Sequence, residues 1–269
     1  QDDRLIAPLR GVSLAYVADP VFQYAGGLNG RAPMIALRYT LSPKNGLGVS
    51  VGAAALGPQD SSSNLSGTAP SVAVDLGAGN RSRIPNFEGR VGVSWSQGGR
   101  KIVDLGGWAG WQKNRFVNPA TDANLDVNSY IYGGDMTLNL WVFQVMGQIM
   151  KGYGYDVPGT LGAAQGIALG FDSATPPINI TVANAVPAFA GWFQVSARPI
   201  EPIQVYAGWG GTQSDTSSLQ GTVLAVAGTR VQNFMWAAGA TAYAGKHWRF
   251  SAEYGSATSF FYSGDSFTQ

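Results

Sequence analysis

The chain has no cysteine, a single histidine and few charges: Asp, Glu, Lys and Arg make up 12% of its 269 residues, about half the usual quarter. Without cysteine there are no disulfides, no thiolate metal sites and no thiol nucleophile, which suits an oxidising compartment. One histidine without a thiol cannot build a transition-metal site. Seventeen basic against sixteen acidic residues leave a net charge of +1, too weak a field to hold a polyanion, so nucleic acid is not expected as a partner. No stretch of about 18 residues is apolar enough to cross a bilayer as a helix. The chain starts at Gln1 with neither a methionine nor a basic-then-apolar leader, so an exported chain would already have lost its signal peptide.

What is present is glycine, 37 residues, with 45% hydrophobic and 12% aromatic content. That apolar fraction excludes disorder, which requires low hydrophobicity and high net charge. The apolar residues recur with period two, the signature of half-buried strands. From Asn86 one face reads Phe87, Gly89, Val91, Val93, Trp95 and the other Asn86, Glu88, Arg90, Gly92, Ser94, Ser96. Leu37, Tyr39 and Leu41 alternate with Arg38, Thr40 and Ser42, and Trp248, Phe250, Ala252 and Tyr254 with His247, Arg249, Ser251 and Glu253.

The strands come in pairs. Segments 34–42 and 46–56 flank Pro43-Lys44-Asn45-Gly46, a turn signal because Asn-Gly tolerates positive φ. Segments 86–97 and 101–112 flank Gly98-Gly99; 189–199 and 202–212 meet at Pro199-Ile200-Glu201-Pro202; 231–243 and 247–257 flank Ala244-Gly245-Lys246. In a fifth pair, 128–139 and 141–151, Asn139 is the only turn residue. Between pairs lie the polar stretches 57–85, 113–127, 152–188 and 213–230. With 11–18 and 259–267 as outer strands the chain reads as twelve strands of one domain, residues 1–269.

Short turns alternating with long loops match a transmembrane barrel, whose periplasmic turns are short and whose extracellular loops are long. The strands fit the roughly 9–11 residues a tilted strand needs to cross a bilayer. Tyr39, Trp95, Trp111, Tyr130, Trp209, Trp236, Trp248 and Tyr254 fall on the apolar faces, as expected of aromatic girdles at lipid headgroups. The opposite faces read as too polar and glycine-rich to fill a closed core. The fold expected is therefore an all-β, antiparallel, up-and-down transmembrane β-barrel with lipid outside and water inside. A secreted β-sandwich is the competing reading and would show shorter strands and fewer exposed aromatics.

Pro85-Asn86-Phe87-Glu88-Gly89-Arg90-Val91, running through the Gly-Gly turn into 101–111, resembles a mid-chain hairpin of Gram-negative outer-membrane porins. Segment 233–257, with Met235-Trp236 and Glu253-Tyr254-Gly255, resembles the penultimate hairpin of the same proteins. The likeness is a pattern of hairpins rather than an invariant motif. It implies a bacterial outer-membrane location, outer-membrane lipid and lipopolysaccharide as surroundings, small polar solutes as cargo and no cofactor; a homo-oligomer such as a trimer and a larger surface complex both stay open, since the resemblance carries over neither pore size nor a trimer. The chain departs from porins in ending Phe267-Thr268-Gln269 rather than on an aromatic residue, in being short for a sixteen-strand barrel, and in lacking a recognisable acidic constriction motif.

The polar faces carry Arg38, Arg90, Arg198 and Arg249 with Glu88, Asp104, Asp135 and Glu253. Lining a wet lumen, four charges of each sign would set a transverse field with little net ion selectivity; in a narrow barrel they would be structural ion pairs in a plug. Passive diffusion of hydrophilic solutes is the function expected, and a non-conducting barrel that anchors a surface assembly is the alternative. Catalysis is not expected: nucleophilic hydrolysis needs a base beside a serine, and Ser251 lies about 13 Å along the strand from His247, the lone histidine. Asp122 and Asp126 lack the calcium-loop spacing. Gly106-Gly107 and Gly208-Trp209-Gly210-Gly211 lack the Lys-Ser/Thr of a phosphate loop, so these glycines read as places where strands coil or neighbouring rings cover the backbone. The apolar stretch Gly166-Ile167-Ala168-Leu169-Gly170-Phe171 argues against a freely solvated 152–188 loop. A luminal constriction, a docking element and a binding surface remain open for it.

Overall fold

A computed structural model describes residues 34–57, 82–118, 120–155, 166–172, 179–222, 229–244, 248–263 and 266–268. The period-two segments are strands: β1 (Met34–Leu41), β2 (Gly46–Leu56), β3 (Asn86–Gln97), β4 (Arg100–Val117), β5 (Asn124–Leu140), β6 (Phe143–Tyr153), β7 (Ile167–Phe171), β8 (Ile180–Ala185), β9 (Pro187–Ile200), β10 (Ile203–Ser214), β11 (Arg230–Ala244), β12 (Trp248–Ser263) and β13 (Ser266–Thr268). All but β7 and β8 join one antiparallel sheet in the order β1-β2-β3-β4-β5-β6-β9-β10-β11-β12-β13. Each strand pairs with the next in sequence, as hairpin connections dictate, and β7–β8 form a separate pair between β6 and β9. Among the described residues no helix is long and apolar enough to cross a membrane; a 3₁₀ turn covers Thr216–Leu219.

The short turns are built as their residues require. Gly46, Gly98 and Gly99 have φ of 99°, 61° and 76°, values that β-carbon sterics make costly for other residues. The first two turns are also laced together: Gly98 N–H donates to Asn45 Oδ1 at 2.6 Å and Gly99 N–H to Lys44 O at 2.9 Å.

Three expectations are corrected. The outer strand expected over 259–267 does not exist as such: β12 continues to Ser263 and only Ser266–Thr268 folds back on it. The main sheet thus has eleven described strands, and the first strand expected, 11–18, lies outside the described residues. Segment 113–127 is mostly not a loop, since β4 and β5 extend through it in register to Val117↔Asn124. In the fifth pair the turn falls at Trp141-Val142, with Trp141 at φ 49°. Asn139 stays in the ladder because its amide works across strands, donating to Lys101 O and accepting from Gln144 Nε2.

The sheet is inverted relative to a water-soluble one. Its outward side exposes Leu37, Val91, Val93, Phe193 and Phe250, with Val91 at 59% and Phe250 at 61%. The opposite side buries Glu88, Gln112, Asn114, Ser129, Gln148, Gln194 and Thr241. Sheets with one dry face place apolar residues there and polar ones in water; here the polar face is the enclosed one.

The β7–β8 hairpin shows how the sheet curls. One face of the hairpin, Ile167, Leu169 and Ile180, packs on Phe116 of β4 and Val127 of β5. Ala168, on its other face, shares a cluster with Leu219, Val231 of β11 and Tyr262 of β12. Walls four to six strands apart therefore meet the same small element on their inner sides. The apolar stretch at 166–171 is buried inside the curl rather than freely solvated. Asn118, in the β4–β5 connection, holds the hairpin by donating from Nδ2 to Asn179 Oδ1 at 2.7 Å.

Candidate functional site: the inner wall

By strand alternation and register, all eight charged residues expected on the polar faces share the inner side of the sheet. Arg90 of β3 reaches past β4 to Asp135 of β5, a bidentate ion pair with Nη2–Oδ1 at 2.8 Å. Asp104 accepts from Lys101 at 2.7 Å on its own strand. Glu253 accepts from the Tyr206 hydroxyl, and Glu88 is buried. The carboxylates are thus engaged or enclosed, whereas Arg38, Arg198 and Arg249 are exposed; the Arg198 guanidinium lies 5.3 Å from the Tyr243 ring centroid.

The long inner side chains share one device. Arg90 reaches Asp135 by lying across Gly106, where a Cβ would overlap its guanidinium. Trp108 lies across Gly133, where a Cβ would come within 2.6 Å of its ring. Tyr206 reaches Glu253 across Gly239, with the same 2.6 Å clearance. Each glycine sits opposite or diagonal to the long residue on the neighbouring strand, so the absent side chain leaves a bed in the wall. Rings and guanidinium lie flat instead of standing into the enclosed space. Gly106→Val fills one bed and should destabilise by about 1–3 kcal/mol, the usual cost of overpacking. Urea unfolding checks this, and in an Arg90→Met background the same substitution should cost less, because the two act on one contact.

The inner face is less purely polar than its composition suggests. Trp108, Ile131, Met150, Tyr155 and Ala190 form one buried cluster, and Met146, Trp192, Tyr206 and Ala237 another. These clusters stand on the face expected to be too polar and glycine-rich to fill a closed core. The signal was present: Trp108, Trp192 and Tyr206 fall on the polar parity of their strands, opposite to Trp111, Phe193 and Trp209. Among the described residues, buried inner polar atoms with no protein partner include Trp108 Nε1, Gln112 Nε2 and both amide atoms of Gln148.

The aromatic residues expected as girdles all face outward. Phe87 stacks on Trp111, with centroids 6.1 Å apart, and Tyr130 on Tyr153 at 4.4 Å. These four align in one row across β3–β6 near the long-loop end. Trp95 and Trp248 lie beside the short turns and Tyr39 near them. Trp209, Trp236 and Tyr254 do not fit an end belt: they sit in the middle of β10, β11 and β12, in the ring contacts Trp209–Phe234 and Trp236–Tyr254. Ser251 bonds Thr241 at 3.0 Å, and His247 lies outside the described residues. Asp126 is a strand residue held by Lys113 and Arg115, and no metal-binding group of three His, Cys, Asp or Glu occurs among the described residues.

An up-and-down antiparallel sheet, apolar outside, polar inside and crossed by an internal hairpin, can be compared with solved structures. The fold is similar to that of an outer-membrane channel. One such structure is the outer membrane channel DcaP of Acinetobacter baumannii, with a TM-score of 0.64 and 11% identity over 93% of this chain. This chain spans 63% of the channel's length. No protein-family model and no curated protein matches the sequence.

Proposed function

We propose that the sheet closes as a barrel in a bacterial outer membrane and serves as a passive channel for small hydrophilic solutes. The observation that carries the reading is the glycine-bedded inner wall. A plug gains from side chains that meet across the centre, whereas Arg90, Trp108 and Tyr206 are laid along the wall. Two features support it: the unpartnered inner polar atoms, since buried polar groups need hydrogen bonds that a hydrated lumen supplies, and the likeness to a channel fold. In this reading the eight charged residues line or border the pore, and the exposed arginines Arg38, Arg198 and Arg249 give it a preference for anions. Planar-bilayer recording tests it. Stable conductance steps are expected, with a reversal potential in a KCl gradient on the chloride side of zero and shifted toward potassium by Arg38→Gln/Arg249→Gln.

The second reading is a non-conducting barrel that anchors a surface assembly. The β7–β8 hairpin favours it, because it fills space between β4–β5 and β11–β12. Absence of any conductance from folded protein would select it.

A further inference from the structure

Leaving aside Arg100 beside a short turn and Arg230 at a register shift, the outward faces of the described strands carry four charged side chains: Lys113, Arg115, Asp126 and Lys151. All four fall on β4–β6 at the long-loop end. Lys113 and Arg115 follow Trp111 of the aromatic row and hold Asp126 at 2.8 and 2.7 Å. Lys151 lies just below the row, its ammonium 5.2 Å from the Tyr153 ring centroid. Three cations to one carboxylate, gathered at the long-loop end of β4–β6, give a local positive charge.

Directly beside this patch the outward wall is hollowed. Lys151 pairs across the sheet with Phe189, and Phe189 lines a recess of about 280 Å³ with Ile149, Trp209 and Phe234. Gly191 and Gly211 floor it; a Cβ on Gly211 would come within 2.7 Å of the Phe234 ring. A lipid with an anionic head presents the complementary pair of surfaces, charge above and hydrocarbon below.

We infer that Lys113, Arg115 and Lys151, with the Gly191–Gly211 recess, form a specific site for a phosphorylated, acylated glycolipid of the leaflet at the long-loop end. Its phosphate sits on the cations that flank the Tyr130–Tyr153 shelf and one acyl chain lies in the recess. Asp126 orients Lys113 and Arg115 and leaves the group net positive. The inference rests on the membrane placement proposed above but not on conduction.

Native mass spectrometry of detergent-solubilised protein tests it, with bisphosphorylated lipid A, its dephosphorylated form and phosphatidylethanolamine as probes. Lipid A is expected to be retained in preference to the other two. Each basic residue near an anionic surface contributes about 1 kcal/mol, so Lys151→Gln should weaken retention about fivefold and Lys113→Gln/Arg115→Gln/Lys151→Gln about a hundredfold. Gly211→Leu, which fills the recess without touching the charges, should weaken it too, with folding verified by circular dichroism. Equal retention by the folded triple variant, equal binding of dephosphorylated lipid, or displacement by millimolar inorganic phosphate would each overturn the site. Conductance recorded on the same variants separates the two readings: lipid retained by a non-conducting protein upholds the site and defeats the channel.

Discussion

Arg90→Met should lower stability by about 3–5 kcal/mol, the usual loss when one member of a buried ion pair is removed, measured as the urea unfolding midpoint in detergent. Asp135 has a side chain only 2% exposed, and its two oxygens take the guanidinium fork. Methionine retains the aliphatic length over Gly106 but leaves a carboxylate enclosed without its counter-charge. Adding Asp135→Asn should recover most of the loss, because the penalty lies in the orphaned charge rather than in the missing bond. A single variant within about 0.5 kcal/mol of the parent would show that water reaches Asp135 freely.

The second large effect is expected on the other side of the same strand. Val91 lies mid-strand on β3, facing outward between Val51 and Gly107. If that face meets hydrocarbon, Val91→Arg should cost about 2–4 kcal/mol when unfolding is measured in lipid vesicles, while Gln213→Arg, outward but near the long-loop rim, should cost about 0–1 kcal/mol. The depth dependence is the diagnostic part. In a water-soluble sheet Val91→Arg would be neutral or helpful, so a loss below that of Gln213→Arg would remove the membrane from the account.

Much of this fold is legible in the sequence because a strand's two faces are written in alternate letters. Segments 46–56 and 86–97 match β2 and β3 residue for residue, since glycine turns, whose φ no other residue adopts cheaply, bound them. The alternation fails where a residue's role is set across strands. Asn139 has turn chemistry but spends its amide on Lys101 and Gln144, so the reversal moved to Trp141. At 113–117, Lys113, Asn114 and Arg115 look like loop composition, yet Asp126 and Ser129 on the facing strand satisfy them and β4 runs on. The pairing of the inner charges is not written in their own strands. Whether Arg90 stands in the lumen or lies on the wall depends on Gly106, one strand away, and no local pattern records that relation.

The internal hairpin also constrains the order of assembly. Phe116 and Val127 are made early in the chain and Val231 and Tyr262 late, yet both pairs close on the one hairpin between them. Neighbouring strands can zip locally with short loop closures, but this junction spans more than a hundred residues of sequence and must wait for β9 and β10 to bring the far wall round. Until then Ile167, Leu169 and Ile180 rest on a half-built cradle. The last long hairpin, β11–β12, acts as a latch that commits the curved sheet to its final shape.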